Sequence, residues 1–185
     1  MALTFANKIT ICRILAVPFF IVSVLSYSPE KDYMRLSALG IFLFAVISDI
    51  IDGYIARTRS QKTKAGAILD PLADKLLLIS AFICLYIMGP AFNSIRFPLW
   101  LVVAVISRDV VLLLGGLLIL QAKGDLTANP TLWGKASTFF QISSVLGVLL
   151  QWSFSPVIWM ITLVLTGISG VGYIREGIKI LNGAK

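Results

Sequence analysis

The sequence predicts an all-α integral membrane protein of six transmembrane helices with both termini cytoplasmic. Three observations carry that expectation. Hydrophobic residues fill 58% of the 185 positions and charged residues only 14%, against about 45–50% and about 25% in a soluble domain. Six apolar stretches approach the roughly 20 residues that cross a bilayer, and mean hydropathy is +0.92. The basic residues, finally, divide unequally between the two sides that those stretches define.

The spans are read, in order, as Ile9–Tyr27, Met34–Arg57, Gly66–Met88, Phe97–Ala122, Gly134–Trp152 and Val157–Arg175. The first is too long for a cleavable signal, and no small-residue cleavage site follows it. Ser28-Pro29 ends it, and the polar segment from Thr58 to Ala65 ends the second. Gly89-Pro90, Asn129-Pro130 and Ser155-Pro156 punctuate the rest, since proline and glycine break helices. With no repeat, linker or soluble appendage, residues 1–185 read as one helical domain. A cytoplasmic amino terminus puts Lys8, Arg13, Arg57, Arg59, Lys62, Lys64, Lys123, Lys135, Arg175, Lys179 and Lys185 on one side. The other side receives Lys31, Arg35 and Arg96, which is a positive-inside pattern.

Composition also excludes chemistry. Without histidine there is no Ser-His-Asp triad, Cys-His dyad or histidine-ligated zinc. Cys12 and Cys84, far apart in apolar runs, form neither a CxxC site nor a disulfide framework. The net charge of +7 follows from the positive-inside bias and an anionic leaflet. Nucleic acid is not an expected partner, because no basic and aromatic domain stands outside the spans.

Acids are scarce, and their placement is informative. Of nine, Asp49, Asp52, Asp70 and Asp74 fall together at the facing ends of the second and third spans. Spacings of i, i+3 and i, i+4 put each pair on one helical face. The short connection makes the two spans neighbours, so four carboxylates converge near the cytoplasmic surface. Four such anions repel strongly unless they are protonated or bridged by cations. Oxygen-only ligands favour hard cations, Mg2+ or Mn2+, and two ions can share the set. A solvated helix end would explain one such aspartate but not four paired at helical spacing, and intramembrane acids mark function.

The stretch Asp49-Ile-Ile-Asp52-Gly53-Tyr-Ile-Ala56-Arg57, eight residues, then Gly66-Ala-Ile-Leu-Asp70-Pro-Leu-Ala-Asp74 resembles the signature of the CDP-alcohol phosphatidyltransferases, DxxDGxxARx8GxxxDxxxD. All eight fixed positions match. The resemblance extends to the six spans and to the segment Asn7-Lys-Ile-Thr10-Ile-Cys-Arg13. It implies transfer of a phosphatidyl group from CDP-diacylglycerol to an alcohol, with release of CMP. By the same resemblance Asp49 and Asp70 bridge two divalent ions, Asp52 completes the first site, and Asp74 ligates the second and is the catalytic base. Gly53, Arg57 and Thr63 contact the CDP portion, Ala56 and Gly66 permit its close approach, and Asn7 and Thr10 help to hold the nucleotide-lipid. The family is typically homodimeric. A multi-pass protein of the bacterial inner membrane is the expectation, with its active site on the cytoplasmic side.

The acceptor alcohol is sought on later spans. Arg108 in Ser107-Arg108-Asp109 is the candidate anion site, and Lys135, with Thr138 and Gln141 following at helical spacing, forms a second polar stripe. The amino-terminal segment, the central motif and the fifth span resemble family members that use glycerol 3-phosphate. The chain departs from them in having Asp109 for a glutamate and no second arginine between Leu112 and Leu118. The Ser-Arg-Asp-Val wording also resembles members that use phosphatidylglycerol. Glycerol 3-phosphate leads and phosphatidylglycerol is the alternative; an ion or metal transporter, favoured by midplane acids and inverted repeats, is the remote one. Asp74→Asn is expected to leave CDP-diacylglycerol binding largely intact and to abolish turnover, and full CMP release by the variant would refute the role given to Asp74.

Overall fold

The computed structural model describes residues 5–59, 64–92, 95–123 and 132–181, with side chains for these except 5–9, 52–72, 74, 117–123, 176 and 178–181. Six α-helices make up the described chain: α1 Phe5–Leu25, α2 Asp32–Arg59, α3 Lys64–Ile87, α4 Leu99–Lys123, α5 Leu132–Leu149 and α6 Ser155–Leu181. There is no strand among the described residues. Short 3-10 turns at Pro29–Lys31 and Gly89–Ala91 sit at two of the anticipated breaks. Among the described residues, three apolar stretches are long enough to cross a membrane, Pro29–Ile51, Leu99–Gly116 and Ser155–Arg175, and Thr10–Leu25 and Lys75–Ile87 are shorter apolar helices.

The chain divides into two compact units. In the first, residues 1–96 with 148–151, α1 packs along both α2 and α3. Small side chains make the approach close: Ala38, Ala45, Ala73 and Ala81 are fully buried beside Phe20, Phe42 and Phe82. The rings of Phe20 and Phe42 lie 5.8 Å apart, and Tyr27 stacks on Phe92 at 4.4 Å. In the Gly89 turn a Cβ would stand 2.7 Å from Arg96 Cβ, so a side chain is excluded there. Arg35 grips both carboxylate oxygens of Asp32 and donates to the Leu149 carbonyl at 2.7 Å.

In the second unit, residues 97–147 with 152–185, α4 packs on α6 and polar contacts join α5 to α6. Here the usual soluble pattern is inverted. The buried face of α6 carries Ser155, Thr162, Thr166 and Ser169, while Val157, Met160, Val164, Ile168 and Val171 are exposed. Ser144 and Thr162 share a hydrogen bond of 2.8 Å, and Ser137 and Thr166 one of 3.3 Å. Tyr173 crosses α4 to donate to the Leu112 carbonyl, over Gly115, where a Cβ would meet the ring at 2.8 Å. Polar groups inside and aliphatic ones outside are what a hydrocarbon surround requires, since lipid offers no hydrogen bonds. This is the pattern of a multi-pass membrane protein.

The end of α5 is closed by a left-handed residue. Gln151 has φ of 54°, its amide donates to the Val148 carbonyl, and that of Trp152 donates to the Gly147 carbonyl at 2.8 Å. Those two bonds satisfy carbonyls that the last helical turn leaves open, a geometry glycine adopts without the Cβ clash. Gln151→Gly is therefore expected to stabilise the protein by about 0.5–1 kcal/mol, read as a higher unfolding midpoint in detergent.

Candidate active site

Helix α2 runs without a break through Asp49, Asp52, Gly53, Ala56 and Arg57, and α3 through Gly66, Asp70 and Asp74. The two helices are joined by residues 60–63, so Thr63 lies outside the described residues. Axial position then orders the carboxylates. Asp49 stands ten residues before the end of α2 and Asp74 ten residues after the start of α3. Asp52 and Asp70 stand seven and six residues from the same ends. At about 1.5 Å per residue, each pair lies at a matching distance from the connection. Asn7 is on α1, as is Thr10. The side chains of Asn7, Asp52, Ala56, Arg57, Asp70 and Asp74, and the surroundings of Gly53 and Gly66, fall outside the description.

Helix α1 is the element shared by the two halves of the motif. Its buried face presents Thr10 and Arg13, one turn apart, both 2% exposed. Arg13 Nη1 forms an ion pair with Asp49 Oδ1 at 3.0 Å. The two partners differ sharply in exposure: the arginine side chain is 2% accessible and the aspartate side chain 45%. Asp49 therefore keeps an open carboxylate on a buried cation. Oxygen donors of this kind suit Mg2+ or Mn2+. The sequence places Arg13 among the cytoplasmic-side cations without a partner. The available signal was an arginine inside an apolar helix, which needs a partner of opposite charge.

The acceptor candidates lie in the second unit. Arg108 Nη1 donates to Asp109 Oδ1 at 2.7 Å and Nη2 donates to Ser169 Oγ at 2.7 Å. Both charged side chains are buried, at 6% and 0% exposure. Gly170 lies against the arginine stem, its Cβ position 3.7 Å from Cγ. Arg108 Nε has no hydrogen-bond partner among the described residues. Lys135 is exposed in the first turn of α5, whereas Gln141 is fully buried and its amide is without a hydrogen bond among the described residues. The stripe read through Lys135, Thr138 and Gln141 thus splits between surface and interior. Steps of three residues fall about 60° short of a full turn each, so its ends sit on different faces. Ser169, unassigned in the sequence, is the hydroxyl that ties Arg108 to α6.

A protein-family comparison matches residues 3–168 to the CDP-alcohol phosphatidyltransferase model, and the chain belongs to that family. Among its relatives is the CDP-diacylglycerol–glycerol-3-phosphate 3-phosphatidyltransferase of Aquifex aeolicus, 30% identical over 95% of this chain and 96% of the relative. The Bacillus subtilis protein of the same name is 34% identical over 78% of this chain and 76% of its own length. A putative cardiolipin synthase of Mycobacterium bovis is 34% identical over 74% of this chain and 60% of its own. Membership of a transferase family sets aside the transporter reading.

The buried pair on α4 generates a stability prediction. Asp109→Leu alone strands the Arg108 charge and is expected to cost about 3–5 kcal/mol. Arg108→Met with Asp109→Leu removes both charges and is expected to recover most of that loss in thermal unfolding.

Proposed function

We propose that the protein transfers the phosphatidyl group of CDP-diacylglycerol to glycerol 3-phosphate, making phosphatidylglycerophosphate and releasing CMP. Supporting this reading is the complete eight-residue motif, set in unbroken helical register on α2 and α3. The chain carrying it aligns with nearly the whole of the Aquifex aeolicus relative.

In the proposed reaction Asn7, Thr10, Gly53, Ala56, Arg57, Thr63 and Gly66 hold the nucleotide end of the donor. The acceptor hydroxyl attacks the phosphorus that bears the diacylglycerol, the bond from that phosphorus to the CMP oxygen breaks, and the hydroxyl proton passes to Asp74. Asp49, Asp52, Asp70 and Asp74 would hold two Mg2+ or Mn2+ ions, which supply neutralisation of the diphosphate charge. Carboxylate acceptance of the proton suits a hydroxyl whose acidity rises as the new bond forms. Arg108 and Lys135 are the residues proposed to receive the acceptor.

The setting belongs to the same proposal: six membrane spans, both termini and the active site on the cytoplasmic face, a bacterial inner membrane and a homodimer. Phosphatidylglycerol is the second acceptor reading. It is favoured by the occupied guanidinium of Arg108, whose two terminal nitrogens already serve Asp109 and Ser169. Purified protein given CDP-diacylglycerol, Mg2+ or Mn2+ and each acceptor in turn should yield CMP and phosphatidylglycerophosphate with glycerol 3-phosphate. Cardiolipin formed from phosphatidylglycerol instead would select the second reading, and absence of any phosphatidyl product would refute both.

A further inference from the structure

Among the described residues, two ion pairs involve a buried arginine, and they are built differently. Arg108 and Asp109 are both sealed, with side chains 6% and 0% accessible. Arg13 is sealed at 2%, but its partner Asp49 is 45% accessible. An exposed carboxylate oxygen is solvated and weakens the attraction, so this pair forgoes strength that burying Asp49 would supply. Here a buried cation supports a carboxylate that faces outward. Asp49 has no second partner among the described residues, and the bond to Arg13 is made through Oδ1.

We infer that Arg13 is a positioning residue for the first motif aspartate, holding Asp49 by Oδ1 so that its other oxygen is presented to a divalent cation. This rests on the proposed metal-binding role of Asp49 and adds to it a residue outside the motif, on a different helix. An aspartate on a helix surface samples several rotamers. A guanidinium fixed among buried side chains selects one, at the cost of some carboxylate charge. Positioning is the larger effect, as it is where groups behind a metal ligand set its orientation and their loss lowers affinity about 10–100-fold. The location of Arg13 on α1, which packs along both α2 and α3, ties the geometry of Asp49 to the helix that supports the whole motif.

The test is Mn2+ binding by the purified full-length protein without donor or acceptor, followed by the loss of the free-ion signal in electron paramagnetic resonance. Arg13→Lys keeps the charge but loses the planar guanidinium, and Arg13→Gln loses both. Each is expected to weaken Mn2+ binding about tenfold or more, while the unfolding midpoint of Arg13→Lys without metal stays near that of the wild type. On an Asp49→Asn background Arg13→Lys should have no further effect. Wild-type or tighter binding by Arg13→Lys, or an undiminished effect on the Asp49→Asn background, overturns the inference. A wild-type protein that binds no Mn2+, or an Asp49→Asn variant that binds it normally, overturns the metal reading itself and this inference with it.

Discussion

The buried polar groups of the described helices face one constraint: an apolar surround supplies no hydrogen bonds, so their partners come from neighbouring helices. The consequence is visible on α6, whose hydroxyls point inward and whose aliphatic side chains point out. Ser144 with Thr162, Ser137 with Thr166 and Ser169 with Arg108 are the result, each joining two helices. Such bonds hold because their alternative is an unsatisfied group in hydrocarbon, although each contributes only about 0.6–2 kcal/mol. Apolar packing cannot order these helices by itself, since lipid tails are equally apolar. Small residues and hydroxyls do so instead, by letting backbones approach and by fixing the rotation of each helix.

The same constraint explains why the first helix matters to the motif. A carboxylate at the end of an apolar helix is set by whatever neighbouring helix carries opposite charge at its level. On α1 that group is Arg13, with Thr10 one turn earlier on the same buried face. The motif is thus written on α2 and α3 but supported from α1. In the proposed reading the carboxylates are held against their own repulsion as ligands, and a buried guanidinium beside Asp49 would relieve part of that repulsion.

Much of this was legible in the sequence. Pro29 and Gly89-Pro90 locate the ends of α1 and α3 because they interrupt the backbone bonding that a helix needs, and 3-10 turns stand there. The i, i+3 and i, i+4 spacings of the aspartates are a property of one helix at a time, and α2 and α3 are continuous through them. What the sequence did not carry was the pairing between helices. Arg13 with Asp49 and Arg108 with Ser169 depend on how each helix is rotated against its neighbour, which many side chains decide jointly. Gln141 shows the limit well. It shares a three-residue rhythm with Lys135, yet one is buried and the other exposed, because that rhythm drifts around the helix.

The adjacency of Arg108 and Asp109 bears on biosynthesis. Partners sixty residues apart can meet only after both helices exist, but these two are consecutive, and their 2.7 Å contact is made within α4 alone. A nascent α4 can therefore enter the bilayer as a neutral dipole rather than as two bare charges, each of which would cost about 2.5–3.5 kcal/mol at the helix centre. Ser169 arrives later with α6 and finds the guanidinium already neutralised and held in place. The order of residues along the chain thus lets the span be inserted before the fold that buries it is complete.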